Sequence, residues 1–220
     1  MKSLIVAAVF AGGMAAQPAA AMPVTMTVAG TVAGFTYGEA AAADIFAAAP
    51  VGSSYSFTFS YDTGLAPTFS GPGYANYSGV PIDGALAIGG VSFSIPTAYL
   101  NSGTGPYQGV RFSVHTDNVP FSPTRLAGYQ LLDYSMQLFD PTGTAVHGEL
   151  PEALDVNAFA NRPFDVRFAF GANGETRLSL TVDRITNVAA VPEPATWLSM
   201  VAGFALMGFA YRRFRPTAMA

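Results

Sequence analysis

The chain has 220 residues, of which 50% are hydrophobic and only 11% charged, against roughly a quarter in ordinary soluble domains. It has no cysteine, which excludes disulfides, thiolate metal centres and a cysteine nucleophile. Its single lysine is Lys2, and residues 22–194 carry six arginines against fourteen acids, a formal charge of −8 that offers nucleic acid no basic face.

The first 21 residues read MKSLIVAAVFAGGMAAQPAAA. Lys2 gives a positive start, residues 4–14 an apolar run that is short for a membrane span, and Ala19 and Ala21 the small-x-small pattern that signal peptidase cuts. This predicts a signal peptide over 1–21, cleavage after Ala21, and export.

From residue 22 onward the chain alternates apolar and polar residues with period two, the pattern of half-buried strands. Val24, Met26 and Val28 alternate with Thr25 and Thr27; Tyr55, Phe57, Phe59 and Tyr61 with Ser54, Ser56, Thr58 and Ser60. The same rhythm returns at 91–95, 110–115, 134–138, 164–170 and 177–183, which makes seven predicted strands. Turn residues separate them, among them Asp62-Thr63-Gly64, Gly71-Pro72-Gly73, Asp83-Gly84, Asn101-Ser102-Gly103, Asp140-Pro141-Thr142-Gly143 and Asn173-Gly174. Only 40–48 and 151–159 have helical character. Antiparallel strands with one apolar face pair those faces, so the expectation for residues 22–187 is an all-β ectodomain, an antiparallel β-sandwich or jelly roll.

Chemistry is sparse in this segment. The two histidines, His115 and His147, have no second histidine at metal-ligand spacing, and no G-x-S-x-G elbow starts a hydrolase triad. Asp62, Asp83 and Asp140 stand beside turn glycines, where Asp caps its own backbone, so no residue is assigned a catalytic role. No cofactor and no metal are expected; the alternative is a loop Ca²⁺ site from Asp62, Asp117 or Asp133. The stretch FSGPGYANYSG (69–79) sets Phe69, Tyr74 and Tyr77 among small polar residues, a composition that can stack on sugar rings. The competing arrangement folds these rings back over one end of the domain.

The chain ends VPEPATWLSMVAGFALMGFAYRRFRPTAMA. Residues 195–211 are apolar and uncharged, with Trp197 and Tyr211 near the two ends, and Arg212, Arg213 and Arg215 follow. This predicts a marginal transmembrane helix over 195–211 with a cytoplasmic arginine cluster at 212–215. Before it, Val191, Pro192, Glu193 and Pro194 form a segment that the two prolines keep extended and accessible.

These three parts in this order, over 188–215 with the motif at 192–194, resemble the PEP-CTERM sorting signal of exported proteins, a tail also described as the ice-binding protein C-terminal domain. The resemblance implies a Gram-negative bacterium, export across its inner membrane, a transiently anchored precursor, recognition by exosortase, and delivery to the cell surface or extracellular matrix. The partners it implies are signal peptidase, exosortase, the membrane, and extracellular polysaccharide. The expected role is non-enzymatic, structural or interactive, and linked to exopolysaccharide and biofilm. Two alternatives stand beside it: a carbohydrate-binding module using the aromatic loop, and a β-sandwich hydrolase acting on polysaccharide.

Overall fold

Where apolar side chains recur every second residue the backbone extends and pairs, and the computed structural model shows how far that pairing goes. It describes residues 23–35, 39–103, 110–116, 124–146, 148–170, 174–189, 203–205 and 207. Residues 1–189 and 190–220 are separate compact units. The expected signal-peptidase residues Ala19 and Ala21, and the tail residues Val191, Pro192, Glu193, Pro194, Trp197, Tyr211, Arg212, Arg213 and Arg215, lie outside the described residues.

In chain order the first unit comprises β1 (Pro23–Phe35), α1 (Glu39–Ala48), β2 (Ser54–Asp62), β3 (Phe69–Gly71), β4 (Tyr74–Ile88), β5 (Val91–Gly103), β6 (Val110–Thr116) and β7 (Arg125–Leu126). There follow β8 (Tyr129–Phe139), a 3₁₀ turn at Val156–Ala158, β9 (Phe164–Phe170), β10 (Gly174–Leu180) and β11 (Arg184–Ala189). All strand pairs are antiparallel. Eight strands close into a barrel in the order β1-β2-β4-β5-β6-β8-β9-β10, with β10 returning to β1.

Closure depends on β1, which is long enough to serve two partners on the same edge. Its first half, Val24 to Ala29, pairs with β11, and its second half, from Val32 to Phe35, pairs with β10. The ladder continues across the break between those two strands: the Thr181 amide donates to the Thr31 carbonyl (2.9 Å) and the Asp183 amide to the Ala29 carbonyl (3.0 Å). Gly30 makes this approach possible, since a Cβ there would lie 2.1 Å from the Thr181 carbonyl oxygen. The Tyr55 hydroxyl donates to that same oxygen at 2.7 Å.

The barrel interior is filled. Phe57, Phe59, Phe93, Phe112, Tyr134, Phe164 and Phe168 are all fully buried, and Phe57 stacks on Phe59 (4.9 Å) and meets Tyr134 edge-on (5.1 Å). An eight-stranded barrel is just wide enough for side chains to fill it, and each such ring contributes about 1.5–3 kcal/mol on burial. Ile45 and Ala49, on and just after α1, are buried and close one end. At the other end the long 140–163 segment inserts Leu150, Leu154 and Phe159 into the same core.

The fold corrects the expectation in several places. The domain is a closed antiparallel barrel and neither a sandwich nor a jelly roll, because β10, the eighth strand of the barrel order, pairs back onto β1. No helix among the described residues is long and apolar enough to cross a membrane, so the transmembrane helix expected over 195–211 is not found; the residues described there are 203–205 and 207. The segment 69–79 is a β-hairpin continuing into β4, a strand that the sequence reading missed. Asp83-Gly84 is no turn but a bulge inside β4, with Asp83 at φ 37°. Asn101-Ser102-Gly103 ends β5. Of the helix expected over 151–159 only the 3₁₀ turn forms.

Candidate site: a groove at one rim of the barrel

Antiparallel pairing brings the end of β2, the β3–β4 hairpin, the end of β5 and the 140–163 segment to one rim. There the chain after β2, the hairpin and residues 145–146 and 148–153 enclose an open groove of about 790 Å³, within the usual range of ligand sites. Leu65, Pro67, Leu150 and Pro151 supply apolar surface, Tyr74 and Tyr77 rings, and Thr63, Ser70, Glu149 and Glu152 polar groups.

Three glycines meet beside it, of which Gly73 and Gly148 line the groove. Gly73, Gly103 and Gly148 all have positive φ (78°, 91° and 92°). A Cβ on Gly103 would lie 2.0 Å from the Gly73 carbonyl oxygen and 2.8 Å from the Gly148 amide nitrogen. Three backbone segments therefore meet where no side chain fits.

The loop wall is tied down from several sides. The Tyr61 hydroxyl donates to the Pro151 carbonyl at 2.5 Å, and the Ser102 hydroxyl donates to the Glu149 carbonyl. Asn187 on β11 clamps Leu154 twice, accepting from its amide and donating to its carbonyl at 3.0 Å each. Asp140, buried where the loop begins, accepts from the Thr142 hydroxyl (2.5 Å) and from the amides of Thr142, Thr144 and Ala145. The Thr142 hydroxyl first, and then those amides, hold its carboxyl well below the usual carboxylate range.

The predicted aromatic residues separate in role. Tyr74 lies half-exposed in the groove with its ring against Gly71, where a Cβ would come within 2.5 Å of Cε1. Tyr77 is buried (5% exposed) and forms wall rather than open platform. Burial, and after it the charge of Glu149, raise its phenol above the ordinary value, against the opposing effect of a hydrogen bond with the Leu150 backbone. Phe69 is 60% exposed and does not line the groove, although its ring packs 5.7 Å from that of Tyr74. One of the three is thus folded into the rim, as the competing arrangement had it.

Sequence reasoning missed Glu149 and Glu152, which face the groove and are both exposed. No motif marks them; only the return of the 140–163 segment across the rim brings them opposite the hairpin. Of the residues weighed for a Ca²⁺ site, Asp62 accepts from the Gly64 amide (2.8 Å), Asp133 pairs with Arg167, and Asp117 lies outside the described residues. Among the described residues no three acids or histidines gather where they would hold a metal ion. His115 stacks on Tyr99 across β5 and β6 (5.3 Å), and His147 lies outside the described residues.

Comparison with known families adds the tail. Residues 190–215 match the PEP-CTERM protein-sorting motif. No curated protein and no solved structure matches the chain. The motif defines a class, exported proteins of Gram-negative bacteria that exosortase processes. This chain carries that sorting motif in residues 190–220, beyond the barrel.

Proposed function

We propose that this protein is a non-enzymatic interaction module of the cell surface or extracellular matrix, and that its rim groove holds a segment of extracellular polysaccharide. The observation that carries this reading is the convergence of ring faces and polar groups on one open, firmly braced groove, beside a barrel interior packed with side chains. Sugar rings offer apolar faces to aromatic side chains and hydroxyls to polar rims, which suits Tyr74 flanked by Thr63, Ser70 and the two glutamates. Bracing favours binding, because a preformed wall loses little freedom when a ligand arrives.

The pair Glu149 and Glu152 does not favour glycoside cleavage. That chemistry holds one carboxylic acid in an apolar pocket, and both of these stand exposed at the rim.

The test is retention of residues 22–189, the unit that contains all eight strands of the barrel, on immobilised neutral, uronate-bearing and amine-bearing polysaccharides. Retention on at least one polymer is expected. Tyr74→Ala should weaken it about tenfold or more, the scale of a lost stacking contact. No retention on any polymer overturns the reading. Release of new reducing ends, abolished by Glu149→Gln, would make the protein an enzyme.

A further inference from the structure

We infer that the groove selects saccharides bearing free amines, an inference that rests on its being a saccharide site. Its charged side chains are Glu149 and Glu152, and no lysine or arginine stands among the described residues that line it. Both glutamates are exposed, so a cation reaches them without a buried charge having to be dehydrated. They sit on a segment whose backbone is fixed at Glu149 by Ser102, at Pro151 by Tyr61 and at Leu154 by Asn187, so they are carried by a rigid wall. The wider field has the same sign, since residues 22–194 carry six arginines against fourteen acids.

Three kinds of polysaccharide would meet this groove differently. A uronate chain brings carboxylates against like charges. A neutral chain gains ring stacking and hydrogen bonds only. An amino sugar adds charge-assisted N–H···O bonds to the two carboxylates, and its ammonium can also stand over the half-exposed Tyr74 ring. The third combines every feature of the groove, and it is the ligand class we assign.

Two tetramers of one β-linked backbone isolate the charge: the glucosamine tetramer and the N-acetylglucosamine tetramer. Each is titrated calorimetrically into residues 22–189 at low salt and mildly acidic pH. The amine form is expected to bind about tenfold tighter, the sum of two exposed ion pairs. Glu149→Gln with Glu152→Gln should bring the two tetramers to equal affinity at unchanged melting temperature. Asp83→Asn removes one exposed carboxylate from the β4 bulge, outside the groove, and should leave the preference in place. Equal affinity of the tetramers for the unaltered protein overturns the amine preference and leaves the saccharide site standing. Failure of both tetramers overturns the preference too; the polymer panel then decides the saccharide reading by itself. Equal binding of tetralysine would show that the groove reads charge alone, and would overturn the assignment to a sugar.

Discussion

Tyr134 and Asp140 are polar groups buried in opposite circumstances. Tyr134 is 1% exposed in the barrel interior, between Phe57 and Phe164, and its hydroxyl has no hydrogen-bond partner among the described residues. Burial pushes its phenol up, so the group stays neutral, but it still lacks the bonds it had in water. Tyr134→Phe keeps the ring and removes the unsatisfied oxygen. The variant is expected to be as stable as the parent or more stable by about 1 kcal/mol in denaturant unfolding; a loss of that size would show that the hydroxyl does have a partner. Asp140 is the reverse case, a buried carboxylate satisfied by one hydroxyl and three amides. Its folded pKa lies below the ordinary value of 3.8, so its contribution to stability is complete above about pH 4 and is lost as pH falls toward the folded pKa. Asparagine can accept at only one end. Asp140→Asn should therefore melt several degrees lower at pH 7, with the gap to the parent narrowing below pH 4. Parallel pH profiles would refute this account.

Among the elements, β1 decides the architecture, and Gly30 is its critical position. A methyl group at Gly30 would meet the Thr181 carbonyl where the barrel closes, whereas one at Gly34, on the same strand, would meet nothing within 4 Å. Gly30→Ala is expected to cost about 1–3 kcal/mol or more as an overpacked contact, with Gly34→Ala close to neutral. Equal effects of the two would mean that closure does not depend on that approach. The sequence made most individual strands legible, because alternation is local: β2, β6, β8 and β9 lie where the aromatic and aliphatic rhythm puts them. β4 was missed since 69–79 reads as an aromatic loop and Asp83-Gly84 as a turn, whereas the strand runs on through both with register shifts at Tyr77/Val80 and Pro81/Gly84. Closure was not legible at all. A strand with one wet and one dry face fits a sandwich and a barrel equally, and only pairing between Val32 and Leu180, far apart in the chain, distinguishes them. The site was half legible for the same reason: Tyr74 and Tyr77 lie in one composition-biased stretch, while Glu149 and Glu152 reach the groove only through the tertiary path of the loop.

At the scale of the whole molecule, a closed barrel is joined to a sorting tail. The PEP-CTERM motif at 190–215 makes the tail the address, and Pro192, Glu193 and Pro194 lie within it. Replacing those three residues by alanine is expected to leave full-length precursor in the native host, seen as a single heavier band with little protein at the surface. Normal processing would show that exosortase does not read this segment. The position of β11 in the chain has a mechanical side. β11 is the last strand before residue 190, and its six register pairs with β1 run antiparallel from Ala29↔Arg184 to Val24↔Ala189. A pull on the tail along the axis of β11, resisted by the body of the barrel, loads those pairs in shear, all at once, instead of peeling them one after another. Asn187 also links β11 to the loop that carries Glu149 and Glu152. A load on that loop would therefore divide among three strands, reaching β11 through Asn187, β2 through Tyr61 and β5 through Ser102.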